Sequence, residues 1–405
     1  MSSYDHFVLS DSDSDEEDEE ASVLMMVAAY RYTMKPRPTY HVRDRLDWDR
    51  HVQELCQEGG VAFVQLYRMD LQAFNKLCDI LCPKLFKDER MSRTRTDKAT
   101  ISTEIALHCF LRWAAGGSYL DIRLCAGISI TSFYTCIHSC MDALYKSPEL
   151  AYSFPTTPEE IEQACAGFRS CSSHDLIRGC VACIDGFLLK VRTPSKNKTG
   201  NVKAYFSGHY QTYGINVQAA CDSRCRFVYC APIAPGGAND ITAFRKTGLS
   251  KVIESLPVGT YVIGDNAYVC SEHLLTPFSG CERNEPRKDT YNFFISQMRI
   301  RIEMAFGSLT NRWRVLRKPL EVSLKNATKL VVALTVLHNY CINENCNDWF
   351  VENVADGHPA DGFLPSDTNT ANIPGNSILR DYIVDEIASA AVSRPAHNIV
   401  RQNRG

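Results

Sequence analysis

Residues 181–185 read Val-Ala-Cys-Ile-Asp, and residues 261–265 read Tyr-Val-Ile-Gly-Asp. Each segment is a short apolar run that ends in a carboxylate, a pattern typical of a buried strand in an α/β sheet. A residue just past the last ladder pair of a strand is free to point into a cleft. We therefore expect Asp185 and Asp265 to end two strands and to converge at one edge of a sheet.

The sequence after the first segment predicts the rest of an α/β layout. Alternating or continuous apolar runs predict two more strands between the two quoted segments. Apolar side chains at spacings of three and four predict helices, the first of them opening at Asn239-Asp240. The predicted strands cover 214–221 and 227–233, and the predicted helices cover 241–249, 291–307 and 329–343.

A third acid, Glu303, lies in the predicted helix 291–307 among basic and apolar residues. Carboxylates from two strand ends and a helix suit Mg²⁺ or Mn²⁺, which prefer oxygen ligands. Two such ions about 4 Å apart can activate the attacking oxygen and stabilise the leaving oxygen in phosphodiester chemistry. Each acid also has a structural interpretation: Asp185 and Asp265 as turn residues, and Glu303 as the partner of Arg299 one helical turn back. Both interpretations stay open at this point.

The charge distribution is compatible with a nucleic-acid partner. The formal net charge is −3, but residues 11–20 hold eight of the 47 acids, which leaves 39 acids against 44 bases. No Asp or Glu occurs over 186–220, so a phosphate backbone could lie along this stretch. An acidic tail on any soluble enzyme gives the same balance. The candidate DNA-binding residues are Lys190, Arg192, Lys196, Lys198, Lys203, Arg299, Arg312 and Arg314.

The first half of the chain predicts an all-α domain. A short helix over 119–125, a turn containing Gly127, Ser129 as N-cap and a second helix to about Leu144 form a helix-turn-helix signature. An ordinary helical hairpin is the alternative. The predicted organisation is an acidic disordered tail (1–22), an entry segment (23–60), this helix-turn-helix-like domain (61–150), a linker (151–178), the α/β domain (179–344) and a mostly disordered tail (345–405).

Membrane insertion and secretion are not expected. The longest apolar run, Val23–Ala29, is shorter than a bilayer span and follows acidic residues, whereas a signal peptide begins with basic ones. The 18 cysteines scatter through apolar segments, as buried thiols of an intracellular protein do. Cys180 and Cys183 form a lone C-x-x-C without a well-spaced second pair, which disfavours zinc.

Four segments in chain order carry a resemblance to a known family. They are Cys-Ile-Asp-Gly-Phe (183–187), Gly-Gly-Ala-Asn-Asp (236–240), Gly-Asp-Asn-Ala-Tyr (264–268) and Arg-Ile-Arg-Ile-Glu-Met-Ala-Phe-Gly-Ser-Leu-Thr-Asn-Arg-Trp (299–313). Together they resemble the DDE nuclease domain of PIF/Harbinger-type transposases and their domesticated nuclease relatives, over about 179–344. The chain departs from that family in having Asn266-Ala267 where Ser-Gly is frequent, and Gly236-Gly237-Ala238 where Gly-Ser is usual.

The resemblance implies an RNase H-like core, a mixed sheet flanked by helices, with Asp185, Asp265 and Glu303 as catalytic acids that hold Mg²⁺ or Mn²⁺. It also implies a metal position at Asp240, although that residue occupies the place expected for a helix N-cap. The implied activity is DNA cleavage at transposon terminal repeats and joining of the 3′-hydroxyl to target DNA. A domesticated, catalytically silent nuclear DNA-binding protein is the alternative, and another RNase H-like exonuclease or RNase is a more remote one.

The resemblance further implies partners and a location. A separate Myb-like DNA-binding protein would assist binding to the transposon ends. A homo-oligomer is a further candidate assembly, since the sequence does not fix the oligomeric state. The protein is expected in the nucleus, and also in the cytoplasm if import depends on that partner.

Overall fold

The computed structural model describes residues 44–57, 59–85, 90, 100–346 and 375–394. The acidic run 11–20, the apolar run 23–29 and the predicted disordered tail 1–22 lie outside the described residues. So do most of the C-terminal segment predicted as a tail and the basic residues between 91 and 99.

The described chain before the sheet is helical, as its apolar spacing predicts. The segment predicted as a linker contains the last of these helices, because Thr157 and Glu160 form a reciprocal capping box that starts it. Its side chains Ile161 and Phe168 are buried. The helices are α1 (Trp48–Cys56), α2 (Val61–Tyr67), α3 (Leu71–Leu85), α4 (Thr103–Ala114), α5 (Tyr119–Cys125), α6 (Ile130–Tyr145) and α7 (Pro158–Cys171).

A mixed β-sheet confirms the predicted α/β class. Its strands are β1 (Cys180–Lys190), β2 (Phe206–Ser207), β3 (Thr212–Cys221), β4 (Phe227–Pro235), β5 (Tyr261–Ile263) and β6 (Leu274–Leu275). The order is β4-β3-β1-β5-β6, with the short β2 paired to the start of β3. Strand β3 runs antiparallel to β1 and β4, whereas β5 and β6 run parallel to β1.

The helices of the α/β part lie between and after the strands along the chain, and they cover both faces of the sheet. The predicted helix 241–249 is two short helices separated at 246–248, and the predicted helix 291–307 extends at both ends. The helices are α8 (Lys196–Thr199), α9 (Asp240–Arg245), α10 (Leu249–Glu254), α11 (Pro286–Arg312), α12 (Leu324–Asn343) and α13 (Ile378–Ser389).

Helix α13 lies within the segment 345–405 that the sequence predicts as a mostly disordered tail, and it packs on the rest of the described chain. The Glu272 carboxylate accepts hydrogen bonds from the backbone N–H groups of Ile378 and Leu379, at 2.7 and 3.2 Å. Arg287 of α11 pairs with Asp385 at 2.6 Å. Helix α13 is therefore anchored to the rest of the described domain at its first turn and along its length.

The pleat of β1 sends alternate side chains to two different layers. On one face, the Cys183 thiol donates to the Met298 carbonyl of α11 at 3.2 Å, and the Phe187 ring lies 4.7 Å from the Phe306 ring. On the other face, Ile184 packs in an apolar cluster with Leu249 and other buried residues. Odd-numbered residues of β1 in this stretch therefore face α11, and even-numbered residues face the opposite layer.

The helical part and the sheet share one continuous hydrophobic core. Helix α12 connects them: the Tyr340 hydroxyl donates to the Ala73 carbonyl at 2.6 Å, and Lys329 pairs with Asp142 at 3.1 Å. Helices α3 and α6 thus pack against the α/β core through α12.

Helices α5 and α6 lie where the sequence predicts the two helices of a helix-turn-helix, with an ordinary helical hairpin as the alternative. The Ser129 side chain caps α6 by accepting from the Ser132 N–H at 3.0 Å, which confirms the predicted N-cap. The two helices meet at 99°, and among the described residues only this bent pair, taken together, has the length and apolar composition of a bilayer span; no single helix does. Helix α6 carries no Lys or Arg. The exposed large apolar side chains of the two helices are Tyr119 and Leu120 at the start of α5 and Ile130 and Tyr134 in the first turns of α6. The angle suits a helix-turn-helix, but DNA binding by this face stays a prediction.

Candidate active site

Asp185 lies inside a strand and not at its end, so that part of the sequence prediction is wrong. Strand β1 continues to Lys190 because β3 pairs with it from Cys183 onward, and Asp185 stands opposite Ala219. The parallel pairing with β5, however, stops at Cys183 and Ile263. The sheet opens beside Asp185 on the β5 side, and this opening gives the carboxylate its access.

Asp265 lies across the same opening. Strand β5 ends at Ile263, two residues before the predicted end, and Asp265 lies in the loop that follows. Asp265 Oδ1 accepts the N–H of Ala267 at 2.9 Å, and Asp185 Oδ1 accepts the N–H of Gly186 at 2.8 Å. Each carboxylate is thus oriented by a nearby backbone amide.

The two carboxylates influence each other electrostatically. Burial, and next the charge of Asp265, raise the pKa of Asp185 well above its usual value; the nearby Arg299 charge and the Gly186 N–H act in the opposite direction. Asp240 contributes a smaller rise. Two carboxylates held together in this way favour a shared proton or a bound cation.

Glu303 lies on α11 and is held by an arginine. Arg299 Nη1 lies 2.6 Å from Glu303 Oε1, and the two side chains are 23% and 39% exposed. The ion pair that the sequence left open as a structural interpretation is therefore present. Because Arg299 also lowers the pKa of Asp185, its guanidinium acts on two of the three predicted catalytic acids.

Asp240 is the first residue of α9 and not its N-cap, which corrects the capping prediction. The cap is Asn239, whose Oδ1 accepts the Thr242 N–H at 2.9 Å. Asp240 Oδ1 accepts instead from Asn216 Nδ2 and Gln218 Nε2, both at 3.0 Å. Gln218 stands opposite Gly186 in the β1–β3 ladder, on the face away from α11. Asp240 is therefore held on the face of the sheet opposite Glu303.

An amide and phenol network fixes Asp240, and sequence reasoning missed it. The Tyr268 hydroxyl donates to Gln218 Oε1 at 2.7 Å, and Gln218 Nε2 also lies 2.8 Å from Asn216 Oδ1. Asn216 and Gln218 are 7% and 2% exposed. The available signal was two amides at alternate positions of a strand that is otherwise apolar, since buried polar side chains need specific partners.

A cavity of about 200 Å³ opens beside Asp240 on the same face. Burial, and then the charge of Asp240, raise the pKa of Tyr210, which lines this cavity, to about 12. The phenol is therefore protonated at neutral pH and can donate a hydrogen bond. Of the aromatic residues between 205 and 213, Phe206 and Tyr213 pack on each other at 5.2 Å, whereas Tyr210 contacts His209 at 4.6 Å. The lining segments are 186–188, 207–210 and 236–241, with Asn216 and Ala267.

The donor set fits a divalent metal, but it is not assembled as a ligand group. The acids supply hard oxygen ligands, and burial, followed by the charge of Asp265, raises the pKa of Asp185. Among the residues that the structure describes, no three or more His, Cys, Asp or Glu side chains are arranged to hold a metal ion. The charge of Asp265 acts on Asp185, while Glu303 pairs with Arg299 and Asp240 accepts from Asn216 and Gln218.

The predicted DNA-binding residues fall into two groups. Arg312 is fully buried and donates from Nη2 to the Cys346 carbonyl at 3.0 Å, so its prediction as a DNA contact is wrong. Its place on the inner side of α11 depends on packing that the sequence does not show. Arg192 is exposed and pairs with Glu321 at 2.9 Å. Lys190 is partly exposed, and the other surface cations are Lys196, Lys198, Lys203 and Arg314.

Gly186 to Ala is expected to destabilise the protein and displace Asp240. A methyl group at this position would lie 2.2 Å from Asp240 Oδ1 and 2.6 Å from Gln218 Nε2. Overpacking of this kind costs about 1–3 kcal/mol, measurable by urea denaturation. Gly208 to Ala is the matched control, because no atom lies within 4 Å of the added methyl. Equal stability of the two variants would contradict the close packing of Asp240 on Gly186.

Comparisons with known proteins agree with the predicted resemblance. Residues 184–339 match the family model described as DDE superfamily endonuclease, and this range contains all four acids of the site. The chain is 21% identical over 317 residues to Protein ALP1-like of Arabidopsis thaliana, which covers 74% of this chain and 75% of that protein. No solved structure gives a significant match. The resemblance to DDE endonucleases is thereby confirmed for the α/β part of the chain.

Proposed function

We propose that this protein is a divalent-metal-dependent DNA endonuclease of the transposase type, with Asp185, Asp265 and Glu303 as its catalytic acids. The observation that carries the proposal is the placement of Asp185 on β1 and Asp265 just after β5, at the point where the pairing of these two strands stops, inside the range that matches DDE endonucleases. The strand order, three antiparallel strands followed by two parallel ones, agrees with the RNase H-like core that the resemblance implies.

Each residue of the site has its own proposed role in phosphodiester cleavage. A bound Mg²⁺ or Mn²⁺ would supply an activated attacking oxygen and stabilise the leaving oxygen. Asp185 and Asp265 would hold the metal from the two sides of the opening, and Glu303 would complete the set from α11. Asp240 is proposed as a further metal position. Lys190, Arg299 and the exposed cations of segment 192–203 would position the DNA backbone without reading its sequence.

The same proposal includes the DNA substrate, the protein partners and the cellular location. The substrate would be transposon terminal repeats together with a target site, and the α5–α6 hairpin would contribute to binding the ends. A Myb-like DNA-binding protein would assist, the nuclease would act as a homo-oligomer, and the protein would work in the nucleus. Its exposed cations between 192 and 203 support contact with a polyanion.

A catalytically silent DNA-binding protein is the second candidate, and one observation favours it. Glu303 is engaged by Arg299, and no ready-made metal group exists among the described residues. A silent protein would keep this arrangement in the presence of metal and DNA, whereas a nuclease would rearrange it.

Cleavage of a supercoiled plasmid that carries the flanking inverted repeats tests the proposal. With Mg²⁺ or Mn²⁺, with and without the Myb-like protein, wild type should nick or linearise the plasmid, and a chelator should stop the reaction. Asp185→Ala, Asp265→Ala and Glu303→Ala should each lose at least about 100-fold in rate, as removal of a group that stabilises the transition state does. Glu254→Ala, which removes an exposed acid of α10, is the matched control and should cleave normally.

Two results would overturn parts of this proposal. An intact wild type that binds the repeats without cutting them would support the silent binding protein. Cleavage that survives Glu303→Ala would show that the third acid is another residue, and Asp240→Ala would then be tested in the same assay.

A further inference from the structure

We infer that Arg299 is a displaceable counter-ion of the carboxylate site: its guanidinium pairs with Glu303 in the metal-free protein, and metal binding requires release of this ion pair so that Glu303 can turn toward Asp185 and Asp265. The inference rests on the proposed function and deepens it, since it assigns how the metal site is assembled. Arg299 would be a positioning residue that acts through Glu303.

The packing of α11 on β1 places Arg299 and Glu303 alongside Asp185. The helix and the strand are joined at two points, by the Cys183 thiol on the Met298 carbonyl and by the Phe187 and Phe306 rings. Asp185 lies midway between Cys183 and Phe187 on the strand. Arg299 and Glu303 lie within the matching stretch of the helix, one turn apart on the same flank.

The charges around this flank do not balance. Arg299 Nη1 lies 2.6 Å from Glu303 Oε1, and the same guanidinium charge also acts on Asp185. One positive charge thus acts on two carboxylates, those of Asp185 and Glu303, and the charge of Asp265 acts on Asp185 as well. A divalent cation carries twice that charge and is the stronger partner for such a group.

The exposure of the two side chains indicates which one moves. Glu303 is 39% exposed and Arg299 23%, so the glutamate has more freedom to turn toward the Asp185–Asp265 pair. The arginine then remains on the flank of the site with its ion-pair partner withdrawn. A phosphate of bound DNA is the natural new partner for a guanidinium in that position. The ion pair therefore explains why the described acids include no ready-made metal group.

Mn²⁺ binding in the absence of DNA tests this inference independently of cleavage. The loss of the electron paramagnetic resonance signal of free Mn²⁺ would be titrated with wild type, Arg299→Gln and Arg301→Gln. We expect Arg299→Gln to bind Mn²⁺ roughly tenfold more tightly than wild type, the scale of one charge-assisted hydrogen bond. Arg301→Gln is the matched control, because Arg301 is two residues along the same helix and hydrogen-bonds to the Cys225 thiol. Its affinity should equal that of wild type.

A second variant and the melting temperature of each variant distinguish a change in Mn²⁺ affinity from a loss of folding. Arg299→Lys keeps the charge but loses the planar fork, so its Mn²⁺ affinity should fall between those of wild type and Arg299→Gln. Unchanged or weaker Mn²⁺ binding by Arg299→Gln, or by Arg299→Lys if the glutamine variant melts early, would overturn the inference.

The remaining outcomes separate this inference from the proposed function. Mn²⁺ binding by Arg299→Gln but not by wild type would support the counter-ion role while the cleavage proposal fails for the native chain. Absence of Mn²⁺ binding in every variant would overturn both. If Arg301→Gln also bound Mn²⁺ more tightly than wild type, the loss of any positive charge on this helix would be enough to strengthen Mn²⁺ binding. That result would contradict a specific role for Arg299.

Discussion

Asp185→Asn is expected to raise the free energy of unfolding in metal-free buffer while it abolishes metal-dependent cleavage. The wild-type carboxylate is half-buried beside Asp265, and both the burial and the charge of Asp265 disfavour its charged form. Asparagine has nearly the same shape but carries no charge, so the repulsion and the desolvation penalty disappear. It cannot replace the carboxylate as a ligand of a hard cation. Thermal unfolding and plasmid cleavage would be measured on the same preparations.

The pH dependence of this stabilisation has a defined sign. The pKa of aspartate in an unfolded chain is about 3.9, and folding raises the pKa of Asp185 above it. Between these two values the folded protein holds a proton that the unfolded chain has lost. The Asp185 contribution to stability is therefore greatest below about pH 4 and declines as the pH rises through the folded pKa. The stability advantage of the asparagine variant should grow over the same range.

Glu254→Gln serves as the control for a general charge effect, because Glu254 is exposed on α10 away from the site. It should leave both the stability and the cleavage rate nearly unchanged. An advantage of Asp185→Asn that is constant with pH, or a destabilisation at neutral pH, would contradict the placement of Asp185 beside Asp265. Excess Mg²⁺ should reduce the advantage, since bound metal stabilises only the wild-type site.

Phe306→Ala is expected to destabilise the protein by about 3–5 kcal/mol, the usual loss for a large aromatic side chain in a core. Phe306 is 1% exposed, and its ring lies 4.7 Å from the Phe187 ring and 5.9 Å from the Phe227 ring. It therefore joins α11 to two strands at the level of the candidate site. Because the same helix carries Arg299 and Glu303, we also expect the variant to cleave DNA poorly at temperatures where it is still folded.

The matched control for Phe306→Ala is Met304→Ala on the same helix. Met304 is 50% exposed, so its truncation should change the free energy of unfolding by less than about 0.5 kcal/mol. Chemical denaturation of both variants would give the comparison. A similar loss in the two would show that the inner side of α11 does not support the site.

Local patterns were sufficient for much of the fold. The apolar spacing of α11 and α12, the Ser129 cap of α6 and the short apolar runs of the sheet all depend on neighbours along the chain. Such signals are readable because helix and strand periodicities are local. The predicted end of β1 was wrong because it depends on contacts with a distant part of the chain. Its continuation past Asp185 depends on pairing with β3, and Gly186 gives no sign of that pairing.

The Asp240 and Arg312 predictions show the same limit at the level of side chains. Both residues belong to the segments that carry the family resemblance, and the sequence alone offered a helix cap for one and a DNA contact for the other. The structure gives Asp240 two amide partners from β3 and gives Arg312 a carbonyl partner at Cys346. Each partner is more than 20 residues away, so no local pattern identifies it.

The sequence by itself determined the α/β class, the chain order of four acids and their resemblance to DDE endonucleases. Only the tertiary structure decided that Asp185 meets Asp265 at an opening of the sheet, that Asp240 lies on the face away from α11, and that Arg299 holds Glu303. The physical reason is that these relations depend on strand register and on which flank of a helix meets the sheet. Both are settled by contacts between residues far apart in the chain.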